Sequence, residues 1–304
     1  MKIIAIDGGG IRGVFPVAIL KRLEEDHNRP IHELFDMIAG TSTGAIIAGA
    51  IATGKPMADL LERYRTYGKQ IFVKQAQFGL FKTVYTDKHL RRFLKQELGD
   101  TMLADIHQPL LIPSVDITHG EPHVYRTKFG EESEAKDQEV FLWDAVLSSC
   151  SAPLYFPPNT TKQLLTIDGG LWANNPSLLC LTEALHHYHK KLEDIHIFSL
   201  GTGQQDIRFS PKKGHAWGIR KWFPIKWRPF TVTPKLLDFA LHLSSESLSY
   251  HCQLLLGEQF YRVNEKLSGE VPFDDVTQTE SLISLANQVY EEKKQDMNRF
   301  LGLN

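Results

Sequence analysis

A three-layer α/β/α sandwich with a mostly parallel central sheet, completed by C-terminal helices, is the fold the sequence predicts, and three observations predict it. Short apolar runs that stop at glycine turns alternate with segments whose apolar residues recur at helical spacing. The first two of these strand, turn and helix units follow one another directly, as parallel-sheet material does. The chain has 304 residues, 42% hydrophobic and 23% charged, enough apolar material for one large α/β unit or about two domains.

Taken in order, Lys2 to Ile6 is an apolar strand that meets Asp7 and three glycines, and Ile11 to Asp26 carries Val14, Val17, Ala18 and Leu23 on one helical face. Leu34 to Ala39 is the second strand, Gly40 to Gly44 its turn and Ala45 to Ala52 a helix of small residues. Residues 37–54 carry no charge and imitate a membrane span, but Gly40, Gly44, Gly49 and Gly54 among four hydroxyl residues mark a tightly packed core helix. Further strands are expected at Leu110 to Ile117, His123 to Thr127, Leu164 to Ile167 and Ile195 to Leu200. Further helices are expected at Met57 to Tyr67, Asp87 to Leu98, Leu142 to Ser149, Ser177 to Lys191, Pro234 to Leu256 and Thr277 to Leu301. The texture divides the chain into an α/β domain over residues 1–203 and a basic, aromatic lid or cap segment with C-terminal helices over residues 204–304, packed on the same core.

Charge excludes some functions. With 34 Lys and Arg against 36 Asp and Glu the net charge is −2, so no global positive field exists to hold nucleic acid or anionic lipid. A local patch remains: Arg208, Lys212, Lys213, Arg220, Lys221, Lys226 and Arg228 accumulate without an acidic residue between Asp206 and Asp238, together with Trp217, Trp222 and Trp227. Such a mixture suits a membrane interface, and equally a loop whose tryptophans pack on the core. Cys150, Cys180 and Cys252 form no CxxC pair and are expected to be reduced core thiols. The N-terminal residues leave no room for a secretory apolar region before Asp7, so a cytoplasmic location is the expectation.

Three motifs carry chemistry. Gly40-Thr-Ser42-Thr-Gly44 is a G-x-S-x-G at a strand-to-helix turn, where a strained serine stands clear of the backbone. A plain glycine turn with a capping serine is the bland alternative. Gly8-x-Gly10-x-x-Gly13 formally satisfies the dinucleotide-binding fingerprint, but the region that should end a second strand in an acidic residue holds Pro30 and no alternating pattern. Successive glycine amides at a helix N-terminus equally make an oxyanion hole, with Arg12 adding charge or bracing the loop. Asp168-Gly169-Gly170 places a carboxylate at a strand end, as a general base requires and as an ordinary turn also does. The histidines His186, His187 and His189 have no catalytic signature, though a histidine triad stays open; no HExxH occurs and no metal site is expected.

In this order, with Ser148 to Ala152 and Pro153-Leu-Tyr-Phe-Pro-Pro158 before the last motif, the chain resembles the patatin-like phospholipases over roughly residues 2–203. The resemblance implies the patatin-like fold, a serine esterase, and a Ser–Asp dyad of Ser42 and Asp168. It places Gly8, Gly9, Gly10 and Arg12 at the oxyanion hole, Gly40 and Gly44 at the elbow, and Gly169 and Gly170 in the base motif. No catalytic cofactor is implied. The implied substrate is membrane phospholipid, met by peripheral contact at the inner face of the cell membrane. A finer likeness, to bacterial phospholipase effectors of the CBASS type, implies a cyclic dinucleotide activator, homo-oligomerisation on activation and an antiviral role.

Overall fold

The computed structural model describes residues 1–76, 82–127, 137–205, 225–227, 230–232 and 235–303, with backbone alone at 225–227, 230–232 and 235. Of the basic aromatic patch, Lys226 and Trp227 fall in backbone-only positions and the other members lie outside the described residues.

The sheet runs β10-β7-β1-β2-β3-β6-β5, with β4 on the other edge of β3. Its strands are β1 (Lys2–Ile6), β2 (Met37–Gly40), β3 (Leu110–Asp116), β4 (Glu121–Arg126), β5 (Asn159–Thr161), β6 (Leu164–Asp168) and β7 (His196–Leu200), with β10 (Phe260–Val263) at the edge. A separate pair, β8 (Ile225–Trp227) and β9 (Phe230–Val232), forms a small antiparallel ribbon. From β10 to β3 every pairing is parallel, whereas β4 and β6 pair antiparallel with β3. The predicted mostly parallel sheet is the observed one.

Strand alternation builds the three layers. On β1, Ile4 and Ile6 join one buried cluster while Ile3 and Ala5 join the other, as the two-residue side-chain period requires. The first face is covered by α1 (Val14–His27), α2 (Thr43–Ala52), α3 (Met57–Ile71), α4 (Lys88–Leu98) and α5 (Leu142–Cys150). The short helix α6 (Gly170–Ala173) follows β6. The second face receives Cys180, Leu181 and Ala184 of α7 (Ser177–His186) and Cys252 and Leu256 of α8 (Lys235–Leu256). The last helix, α9 (Thr279–Leu301), packs on α1 through Leu282, Ala286 and Tyr290. The three cysteines are buried free thiols.

Several boundaries differ from expectation. The second strand begins at Met37, because Ile31–Glu33 makes a 3-10 turn and the Asp36 carboxylate accepts the Lys2 amide at 2.7 Å. Residues 37–54 form a strand, a turn and a helix rather than one core helix. Helix α7 ends at His186 instead of Lys191: past Ala184 no buried apolar side chain continues its face, and His189 takes a left-handed φ of 48°. Strands β5 and β10 were not expected. β5 has three residues, and β10 reads Phe-Tyr-Arg-Val, whose partly buried arginine breaks the apolar run.

Candidate active site

The sheet brings the three motifs together at the carboxyl ends of its strands, the usual site location in open α/β folds. β1 delivers Asp7 and the glycine loop, β2 delivers Ser42, and β6 delivers Asp168.

Ser42 sits between β2 and α2 with φ 55° and ψ −122°, a left-handed conformation that costs a non-glycine residue about 1–3 kcal/mol. The turn is tight enough that a Cβ on Gly40 would lie 2.0 Å from the Gly44 carbonyl oxygen, and one on Gly44 would lie 2.3 Å from that of Ile6. Only glycine fits at either position. The half-buried serine also heads α2, whose N-terminal partial charge favours a developing anion. Because β2 runs straight into this elbow, the slot where a dinucleotide fold keeps its acidic residue is occupied by Gly40.

Asp168 is only 4% exposed. Burial pushes its carboxyl up to about 6, against the opposing pull of the Gly170 amide, which donates to Oδ1 at 2.7 Å, and the smaller pull of the nearby Ser42 hydroxyl. A carboxylate held there has the basicity that general-base catalysis near neutral pH favours. Among the described residues no histidine acts on it. His186 and His187 lie instead at the exposed end of α7, where His187 faces Glu183 at 3.5 Å.

The glycine loop is pinned from both sides. The Gly8 amide donates to the Asn174 carbonyl at 3.0 Å, and the Thr202 hydroxyl donates to the Gly8 carbonyl at 2.8 Å. Gly8, expected at the oxyanion hole, therefore has its N–H committed elsewhere. The amides of Gly9 and Gly10 have no acceptor among the described residues. Gly10 takes φ +59°, and a Cβ on it would meet the Phe273 carbonyl at 2.4 Å. Arg12 braces the loop: its Nε donates to the Gly9 carbonyl at 3.2 Å and its guanidinium lies 4.6 Å over the Phe273 ring. Burial pulls Arg12 down to about 10, opposed chiefly by Asp238, so it stays cationic at neutral pH.

Residues not singled out by sequence complete the surroundings. Asp7 accepts a bidentate contact from Arg262 at 2.7 and 3.1 Å and a third hydrogen bond from Ser245 of α8 at 3.1 Å. Asn174, through its side-chain amide, donates to the same Ser245 at 2.7 Å. Helix α8 thus lies over the site, and a small polar cleft between it and the glycine loop is lined by Gly8, Arg12, Thr202, His242 and Asn264. The paired asparagines Asn174-Asn175 just beyond Asp168 were the available signal, since buried amides there need polar partners. Elsewhere, among the described residues, Asp116, His119 and Glu121 hold potential ligand atoms within 4.8 Å of one another on the β3–β4 hairpin. His119 there bonds Asp116 at 2.6 Å, and although His119 and His123 stand four apart, they are on a hairpin and not on one helical face.

An α/β protein with a strained serine near a buried carboxylate, and a glycine loop that leaves two amides open, has the site architecture of an acyl hydrolase. Comparison with known proteins agrees. The patatin-like phospholipase family model matches residues 4–181. A cGAMP-activated phospholipase of Escherichia coli (strain TW11681) is 31% identical over 249 residues, 73% of this chain and 70% of that protein. One of Pseudomonas aeruginosa is 26% identical over 305 residues, 99% of this chain and 89% of its own length. Patatin-like protein 2 of Arabidopsis thaliana is 26% identical over 336 residues, 94% of this chain and 81% of that protein. Among solved structures, VipD from Legionella pneumophila superposes over 94% of this chain and 67% of that one, with a TM-score of 0.48 and 10% identity, too loose a likeness to carry an argument. The chain belongs to the patatin-like phospholipase family, and it is a lipid acyl hydrolase.

Proposed function

We propose that Ser42 and Asp168 form the catalytic dyad of a phospholipase that cleaves acyl esters of membrane lipids. The observation that carries this reading is the strained Ser42, whose hydroxyl lies near a buried Asp168 raised to about 6. Ser42 Oγ attacks the ester carbonyl while its proton passes to Asp168, and the Gly9 and Gly10 amides receive the oxyanion. Collapse expels the lysolipid alcohol, which takes the proton back. Water activated by Asp168 then releases the fatty acid. Residues 1–203 supply this machinery, and helix α8 lies over it.

The pH dependence follows from the sign of the Asp168 shift. The base works ionised, so kcat/KM is expected to fall on the acid side with an apparent pKa near 6, tenfold per unit well below it. A pH–rate profile with a soluble ester checks this, and a limb near 4 would mean that the base is solvated.

Helix α8 supports peripheral contact with lipid. It lies over the site, and on its outer side Leu243 is 48% exposed, Tyr250 62% and Leu254 65%, an apolar surface of the kind that enters a headgroup layer. Among the described residues no helix is long and apolar enough to cross a membrane. We place the enzyme in the cytoplasm, at the inner face of the membrane.

The relatives described as cGAMP-activated support gating by a cyclic dinucleotide, with assembly on activation and an antiviral effector role. The second reading is a constitutive lipid acyl hydrolase with no nucleotide gating. Fatty-acid release from phosphatidylethanolamine and phosphatidylglycerol liposomes, with and without cyclic dinucleotides and with Ser42→Ala as the blank, separates the two. Release only with a dinucleotide is the expected result; equal release without one leaves the constitutive enzyme.

A further inference from the structure

The turn that ends α5 touches both halves of the site. The Ser42 amide donates to Ser149 Oγ at 2.9 Å, and Ser149 Oγ donates in turn to the Pro113 carbonyl of β3 at 2.6 Å. Two residues on, the Ser151 carbonyl accepts the Asp168 amide at 3.0 Å. Both serines are buried, Ser149 at 0% and Ser151 at 1% exposure.

The Pro113 carbonyl is a fixed point. A Cβ on Gly169 would lie 2.2 Å from it, so the base loop is pressed against the same peptide that anchors Ser149. The next residue, Ser114, is in register with Asp168, and its hydroxyl donates to the Ile167 carbonyl at 2.9 Å. Hydrogen bonds therefore run from the Ser42 amide through Ser149 to Pro113 of β3, and the next residue of β3, Ser114, bonds the strand that carries Asp168.

Ser42 needs such a hold. Its left-handed backbone is unfavourable, and an amide with no acceptor would let the elbow relax toward ordinary helical geometry. We propose that Ser149 is a positioning residue that locks the strained elbow and sets the distance between Ser42 and Asp168. It touches neither substrate nor reacting atoms, and the inference rests on the dyad reading. Relaxation of the elbow moves Ser42 Oγ away from Asp168, and a misplacement of about 1 Å costs about 100-fold in rate.

The test uses the full chain and a soluble p-nitrophenyl ester under a condition in which wild type turns over, together with the rate of labelling by a fluorophosphonate. Ser149→Ala is expected to lower kcat and the labelling rate by about 10- to 100-fold with KM within about twofold. Its acid limb should move above the wild-type value, because the Ser42 hydroxyl that pulls Asp168 down moves away from it. Ser149→Thr keeps the hydroxyl and should recover most of kcat, and it decides the matter if the alanine variant does not fold. Unchanged kcat in Ser149→Ala, or a threonine variant that folds but is as slow as alanine, would overturn the proposal. Ser42→Ala in the same assay keeps the two ideas apart. If it turns over like wild type, the dyad itself is wrong.

Discussion

Asp168→Ala is expected to fold and to retain less than about a tenth of wild-type lipid turnover, with a loss of about 10²- to 10⁴-fold in kcat, the usual cost of a removed general base. The fold should survive, because the carboxylate is 4% exposed and its ionisation opposes folding. Its folded pKa is raised, so the stability linked to its proton is present at low pH and lost as pH rises through about 6. Alanine leaves the Gly170 amide without its acceptor, a cost of about 1–3 kcal/mol, and removes a buried charge that had no cation beside it. Circular dichroism and a melting curve check the fold, and fatty-acid release checks the rate. Asp168→Asn keeps the shape and still cannot take a proton, so it should be as slow as alanine. Should Asp168→Ala keep more than a tenth of the rate and show a limb near 6.5, a histidine would be the base and the dyad would fall.

What could be read in the sequence was what short-range physics fixes. The elbow was legible because Gly40 and Gly44 flank the serine at a strand end, and close backbone contacts at both glycines leave no room for a side chain. Asp168 was legible as a carboxylate at the end of β6. Which amides stay open was not. Gly8, Gly9 and Gly10 read alike, and only the fold brings the Asn174 carbonyl onto the first of them. Arg262 stayed hidden for the same reason: its partner Asp7 is far away in sequence, and an arginine in an apolar run argues against a buried strand until the carboxylate that neutralises it is located. The hydroxyl-rich inner side of α8 and the Ser149 link are likewise products of packing between distant segments, on which helical period is silent.

Arg262→Met is expected to lose about 3–5 kcal/mol, because it strands the Asp7 carboxylate, 2% exposed, with no cation in contact. For a chain of this size the melting point should fall on the order of 10 °C. The effect reaches the site as well, since Asp7 ends β1 and stands directly before the pinned Gly8, while Arg262 holds the edge strand β10 and also donates to Ser199 on β7 at 2.8 Å. In the wild type, burial raises Asp7 and Arg262 pulls it back, while burial acts against the Arg262 charge and Asp7, joined by Glu246, holds that group above its ordinary value. Without Arg262 the Asp7 carboxyl rises further, so folding takes up a proton that the unfolded chain releases at neutral pH. The stability that proton supplies is present at low pH and lost as pH rises. The melting deficit of Arg262→Met should therefore be largest at pH 7–8 and shrink toward pH 4–5. Adding Asp7→Asn should recover part of it at neutral pH. A variant melting within about 2 °C of wild type at pH 7.5 would show that water or another group already neutralises Asp7, and that β10 is held to the first motif by its backbone pairing with β7 alone.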